Sequence, residues 1–435
     1  MNHPFRFHLF LITIFLQVIA LAPPALFAGQ SSLSLDEVTK KTLAQNPTVA
    51  AARARWRMAT QRIPQAAGWE DPKLGFRSLL GRFVQIPANG FTDQAVSLEQ
   101  SIPISGKNRS RERAAAAEAV AAFQDLRRQE LDVVVKARSA FVQLVNDYEL
   151  LELNLAEETA LSQTIDSSRT RFEVGAQPQS DVVTAQIERQ KVTEQRQDLE
   201  QKRSNDETAL KVLMKMDAFA PLERPRVQVS RAVHLDEGEL RSRIILNNPD
   251  VLQANAELAA AQSRYQLAKR EWIPDPTVSI QADHYNAGSQ IASEVSGGIS
   301  ISLPWFNEKK YSAGEREALD QVTAAQHALE SAKNEALGKL RDQLQKIQTL
   351  HHHADLYENS LIPSAKQNVS ANQTDYETDK TTFQNLLSSQ RNLWEIEAAY
   401  HQHLTDYQIA LAELESLVGS DLGSFGGVTE GFETK

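Results

Sequence analysis

Three consecutive histidines, His351–His353, are the first residues in this sequence that invite a chemical reading. His351, Asp355 and Glu358 fall at i, i+4 and i+7 of a helical run, so one face could present an imidazole and two carboxylates to a metal ion. No second ligand cluster accompanies them, and a polar, solvated helix face accounts for them equally well. His401 and His403 are two apart and point away from each other on a helix. The stretch "SGK" at 105–107 lacks the spacing of a phosphate loop. Neither a nucleophile elbow nor an H-E-x-x-H pair is present. Without Cys there can be no disulfide, thiolate metal site or Cys nucleophile. These residues predict no enzyme, no cofactor and no specific metal centre. A net charge of −10 argues against nucleic acid as a partner.

The elements that carry these residues are more informative. The 435-residue chain is 41% hydrophobic but only 7% aromatic, and Ala, Gln, Glu and Leu predominate, a helical composition. Residues 1–28 read as a secretory signal, with Arg6 ahead of an apolar core of about 14 residues, too short to span a bilayer. Self-comparison then shows four ordered matches at offsets of 200 to 204. "LDEVTKKTLAQNPTV" pairs with "LDEGELRSRIILNNPDV", and "GWEDPKLGF" with "EWIPDPTVSI". "SLEQSIPI" pairs with "GISISLPW", and "RFEVGAQPQSDVVTAQ" with "DYETDKTTFQNLLSSQ". The chain therefore reads as two related halves, 29–218 and 235–419, with a linker at 219–234 and a Gly-rich tail at 420–435.

Each half predicts the same order: an amphipathic helix, two strands, then a long helical hairpin. Ser34 and Glu37 have capping-box spacing at the first helix. The strands alternate strictly, with Val278, Ile280 and Ala282 against Ser279, Gln281 and Asp283. Likewise Val96 and Leu98 oppose Ser97 and Glu99, Ile299, Ile301 and Leu303 oppose Ser300 and Ser302, and Leu74 and Phe76 oppose Lys73 and Arg77. In "QSIPISGKNRSRER", Pro103 ends the strand, Gly106 permits a turn, and Lys107 opens a helix; Pro304 marks the same junction in the second half. From Lys107 to Val174 no Gly or Pro occurs, which allows a helix of roughly 100 Å. In the second half Gly338 and Pro363 should interrupt the equivalent helix.

Strands of this length and alternation suit a transmembrane barrel, with a polar lumen and an apolar lipid face. A small soluble sheet remains open as an alternative. Trp69, Trp272 and Trp305 sit at strand ends, as an interfacial girdle requires. Four strands cannot close in lipid. Two chains would give eight, with a lumen filled by side chains, and three would give twelve, with room for a pore. The bases Lys107, Arg109, Arg111 and Arg113 could meet lipid headgroups or acids of a neighbouring chain, and a solvated helix surface accounts for them equally well.

These features resemble the outer-membrane efflux family of TolC type. "FEVGAQPQSDVVTAQ" is similar to its helical turn, and "LAELESLVG" to the end of its last helix. "QSIPISGKNRSRERAAAA" is closest to the heavy-metal and cation efflux (CzcC-like) branch. The resemblance covers nearly all of 31–419. It implies a mainly α fold with a small β part: a long α-helical barrel continuing below a transmembrane β-barrel shared by a homotrimer. It also implies an outer-membrane location with a large periplasmic part, a periplasmic adaptor and an inner-membrane pump as partners, and passive export of small solutes, heavy-metal cations included. A type I protein secretion duct and a periplasmic coiled-coil adaptor are the alternatives. The resemblance places the two turns at the periplasmic tip. Asp181 then occupies the acidic position six residues after the turn glycine, Gly175, and Tyr376 the aromatic position before the second turn. Asp379 replaces the second glycine and Thr381 the basic residue two positions on, a departure from the family's Tyr–Asp–Arg closing network. Asn385 and Ser388 stand where the family carries pore carboxylates. Glu173, Glu377 and Asp379 are the acids left to supply negative charge there.

Overall fold

The computed structural model describes residues 33–78, 92–225, 235–287, 290–420 and 422. The expected signal (1–28), most of the linker and nearly all of the Gly-rich tail lie outside these residues.

The single amphipathic helix expected at the start of each half is two helices, joined at an Asn-Pro pair. In the first half these are α1 (Leu35–Gln45) and α2 (Pro47–Ala67), and in the second α5 (Glu237–Asn247) and α6 (Pro249–Ala268). Proline is unfavourable inside a helix but fits its first position. The preceding Asn serves both helices. Asn46 N–H donates to Thr42 O at 2.9 Å, and its side chain accepts from Thr48 N at 2.9 Å. Asn248 repeats this with Ile244 O and Asp250 N, both at 3.0 Å. Each Asn amide also donates to the end of a distant helix, Asn46 to Leu213 O and Asn248 to Leu417 O. Ser34 and Glu37 form the expected capping box on α1.

Strands β1 (Lys73–Ser78), β2 (Thr92–Ser101), β3 (Thr277–Ala287) and β4 (Gln290–Ser300) form one antiparallel sheet in chain order. The middle pairing, β2 with β3, joins the two halves. Register aligns the alternation across all four strands. Phe76, Val96, Ala282 and Val295 form one row, and Leu74, Leu98, Ile280 and Gly297 the next. The opposite face carries Ser97, Gln281 and Ser296, then Arg77, Asp283 and Glu294. β4 stops at Ser300, earlier than expected, so Ile301 and Leu303 fall outside the ladder.

Below the sheet, α3 (Lys107–Glu173) runs unbroken for 67 residues, about 100 Å. It turns into α4 (Gln179–Leu213). In the second half a 3-10 turn, Pro304–Asn307, leads into α7 (Glu308–Leu356). A π turn, Tyr357–Leu361, separates α7 from α8 (Ile362–Glu377), and α9 (Phe383–Val418) completes the hairpin. The break belongs to Pro363 alone. Its missing N–H cannot accompany an α ladder, and the wider turn ahead of it absorbs the loss. Gly338, expected to interrupt as well, lies within a continuous α7. An exposed glycine costs only about 1 kcal/mol, too little to break a helix of that length.

Among the described residues four apolar clusters hold the bundle, one of them Val49 and Ala52 of α2 against Leu126 and Val133 of α3. Leu35, Val38, Phe141, Leu144, Leu210 and Met214 lock α1 to the α3–α4 hairpin. Leu240, Ile244, Leu340, Ile347, Leu411 and Leu414 do the same for α5 with α7 and α9. Leu161, Ile165, Tyr376, Phe383 and Leu386 join the two hairpins near their turns. Each fully buried Leu contributes on the order of 2 kcal/mol. No helix among the described residues is long and apolar enough to cross a membrane.

Candidate functional site

The strand–helix junction explains the sequence motif that spans it. Gly106 has φ +74°, a left-handed conformation, and a Cβ there would lie 2.2 Å from the Arg270 guanidinium. The sequence left Lys107 open to lipid, a neighbouring chain or solvent. It is instead buried against its own second half: Nζ lies 3.4 Å from Asp275 Oδ2 and donates to Ile273 O at 2.7 Å. Asp275 accepts from Ser105 N and Ser105 Oγ, both at 2.9 Å. Burial would raise the Asp275 carboxyl, but the Ser105 bonds and the Lys107 ammonium outweigh it and hold it below the usual range. "ISGK" in one half is thus the counterpart of "EWIPDP" in the other. Arg111 follows the same direction, 4.0 Å from Glu271, while Arg109 and Arg113 are exposed. Ile102 N donates to Pro276 O at 2.9 Å, one step beyond the ladder and just before Pro103. Trp69, Trp272 and Trp305 surround the base of the sheet and are exposed, as are Leu74 (77%), Phe76 (70%), Ile280 (55%) and Val295 (73%) on its apolar face. So much exposed apolar surface on an ordered sheet marks a face meant for lipid or another chain.

At the far end the two turns share one geometry with different residues. Gly175 (φ +76°) closes α3, with Ala176 N donating to Arg171 O at 2.9 Å. Asp379 (φ +59°) closes α8, with Lys380 N donating to Asp375 O at 2.8 Å. A left-handed aspartate is tolerated because its short polar side chain finds local partners. Here the partner is Arg171, which pairs with Asp379 Oδ1 and donates to Glu377 O at 3.0 Å. The same guanidinium lies 5.0 Å from the centre of the Tyr376 ring. Gln177 Nε2 adds a longer bond to Asp379 at 3.4 Å. Tyr376 is 1% exposed, with its hydroxyl 3.3 Å from Ser168 Oγ and its ring edge-on to Phe383. The chain thus assembles an aromatic, an acid and an arginine at the tip. The arginine comes from α3 rather than from position 381. Sequence reasoning missed Arg171 because its partner lies 208 residues away.

Glu173 and Glu377 are exposed at the two turns, and Glu377 accepts from Gln373 at 2.7 Å. Asp181 lies in the first turn of α4, where an acid meets the positive end of the helix dipole. Asn385 occupies the first turn of α9, its backbone capped by Thr382 and its amide donating to Thr381 Oγ1 at 3.1 Å. Glu173, Asp181, Glu377, Asp379 and Asn385 therefore gather at one end of the molecule.

The metal candidates are not brought together. His351 rests edge-on against Tyr407, Asp355 accepts from Asn359 at 2.8 Å, and Glu358 is engaged by Tyr400. The π turn carries Glu358 out of the α-helical register that would align it with His351. Among the described residues no three or more His, Asp or Glu side chains gather closely enough to hold a metal ion.

Comparison with known proteins agrees with this architecture. The family described as outer membrane efflux protein matches residues 38–214 and 240–420. Outer membrane protein TolC of Vibrio cholerae is 22% identical over 298 residues, covering 66% of this chain and 68% of the relative. The nickel and cobalt resistance protein CnrC of Cupriavidus metallidurans is 32% identical over 92 residues, 21% of each chain. Among solved structures, the outer membrane protein VceC of Vibrio cholerae superposes with a TM-score of 0.75 at 18% identity, covering 89% of this chain and 96% of that one.

Proposed function

The chain belongs to the outer membrane efflux protein family, and we propose that three copies close one twelve-stranded barrel and act as the passive outer-membrane duct of a tripartite pump. It is an outer-membrane efflux channel of TolC type and not an enzyme. The observation that carries the trimer is the open four-stranded sheet. β1 and β4 are edge strands, and the apolar face is exposed. In hydrocarbon each unpaired backbone group costs several kcal/mol, so the edges must pair with other copies. Two copies would give a lumen filled by side chains, and three leave room for a pore. Trp69, Trp272 and Trp305 then sit at the membrane interface, with the α3–α4 and α8–α9 hairpins extending into the periplasm.

In this reading the turns at Gly175 and Asp379 meet a periplasmic adaptor, and an inner-membrane pump supplies the energy. Threefold symmetry makes each inward acid a ring of three, which favours cations. Asp181, Glu173, Glu377 and Asp379 are the candidates. The local likeness to CnrC supports heavy-metal cations among the small solutes carried. The test is detergent extraction followed by mass determination and planar-bilayer recording, with Asp181→Ala alongside. A trimer with cation-selective conductance, less selective in the variant, is expected. A soluble periplasmic monomer would refute the duct, and unchanged selectivity in Asp181→Ala would remove that residue from the pore.

A further inference from the structure

The histidine run leaves one of its rings in a setting that neither the duct nor the tip uses. His353 on α7 and His403 on α9 have ring centres 5.1 Å apart and planes inclined at 59°. Tyr357, at the start of the π turn, sits edge-on to His403 at 5.0 Å. His403 Nδ1 is shielded from solvent and has no hydrogen-bond partner. A shielded ring nitrogen normally finds a donor or acceptor, and within the chain this one has neither. π turns recur at functional sites because they re-aim side chains. This one places Tyr357 against the ring of a neighbouring helix.

The spacing has a chemical meaning. An imidazole nitrogen bound at about 2.0–2.1 Å puts its ring centre about 3.2 Å from the metal, and two such rings at a tetrahedral angle stand about 5.2 Å apart. The observed 5.1 Å matches that distance. Imidazole suits zinc, copper and nickel better than the hard cations that prefer oxygen. We propose that His353 and His403 together bind a borderline divalent cation such as Cu²⁺, Ni²⁺ or Zn²⁺, with water completing its coordination. A two-point site keeps open positions and exchanges readily, unlike a closed structural site with four protein ligands. The proposal stands on the two rings and does not require the exported cargo to be a metal.

The test uses the full chain in detergent with an affinity tag free of histidine, titrated with CuCl₂ and separately with NiCl₂ in a calorimeter. Saturable binding near one ion per chain is expected, with nitrogen hyperfine splitting from two imidazoles in the copper resonance spectrum. His353→Ala and His403→Ala should each weaken binding about tenfold or more, and the double variant no further than the worse single one. His351→Ala and His352→Ala should bind as the parent does. His403→Gln, with its thermal midpoint measured in parallel, separates loss of the ligand from loss of the fold. Absence of saturable binding, or binding unmoved by both His353→Ala and His403→Ala, would overturn the site. Equal weakening by His351→Ala or His352→Ala would overturn it too.

Discussion

Replacing Arg171 by Ala should loosen the hairpin tips far more than replacing its acidic partner. Arg171 makes three contacts: the carbonyl of Glu377 at 3.0 Å, the Asp379 carboxylate, and the face of buried Tyr376 at 5.0 Å. A charged donor on a carbonyl contributes about 1 kcal/mol near the surface, and the cation–π contact about 0.5–1. The ion pair adds less than about 1, because the Asp379 side chain is 65% exposed and the pair is screened. Arg171→Ala therefore costs about 2 kcal/mol of tip stability, roughly a thirtyfold rise in local opening. Asp379→Gly loses the ion pair and the long, exposed Gln177 bond, which adds little. It also removes an L-residue from φ +59°, a strain of about 1 kcal/mol, while adding backbone freedom to the unfolded turn. These effects nearly cancel, so opening should change by no more than about threefold. Native-state hydrogen exchange read on peptides spanning 372–387 measures both. The double variant should behave like Arg171→Ala. Opening in Asp379→Gly as large as in Arg171→Ala would refute the ranking, because the pair would then outweigh the strain and both other contacts.

Gly106→Ala should lower stability by about 2 kcal/mol, from left-handed strain plus displacement of Arg270 from its carbonyl partners, read as a lower thermal midpoint in detergent. Arg270→Ala in the same background should recover the steric part and leave the strain; no recovery would mean that Arg270 is not the obstacle. Burial lifts the Glu157 carboxyl to about 7, with Glu188 and Glu395 adding to the shift and Arg391 opposing it. An acid whose folded value is raised binds more protons folded than unfolded. Stability is therefore lost as pH rises from about 4.5 to about 7 and is level above that. Glu157→Gln should abolish about 1–2 kcal/mol of this loss, after allowance for solvent screening. The difference between parent and variant must be followed, because Asp147, raised to about 6 mainly by burial, slopes the same way at lower pH. Parallel stability curves for the two proteins would show that Glu157 is not the group responsible.

The strands were legible because alternation is a local property. Phe76, Val96, Ala282 and Val295 announce a face before any partner is known, and register then only has to align them. Pro103 and Gly106 were legible for the same reason, since each restricts its own backbone. The split at Asn46-Pro47 was equally local, yet an apolar period running through it read as one helix. Lys107 and Arg171 were not legible. Each looks like a surface base until the fold brings Asp275 or Asp379 to it from the other half. Gly338 was over-read, because a propensity cost near 1 kcal/mol is small against the packing of α7 on α9. The His353–His403 proximity depends on how those same two helices sit against each other, which no single segment encodes.

Most of the pairs that cross between the halves share a direction, Arg77 with Asp283 included. Lys107 with Asp275, Arg111 with Glu271, Arg128 with Asp250, Arg138 with Glu415 and Arg171 with Asp379 all take the base from the first half and the acid from the second. Arg264 with Glu118 and Arg391 with Glu188 run the other way. The halves share their element order, so shape alone discriminates poorly between a first half beside a second and a first beside another first. Charge does discriminate. First beside first would set Arg138 against Lys211 and Arg171 against Gly175 where each now meets an acid, and like charges in close packing cost several kcal/mol. Arg138 and Glu415 matter most, since both side chains are 6% exposed and a buried charge without its opposite is costly. Within one chain this charge pattern therefore favours a second half, rather than a copy of itself, as the first half's neighbour.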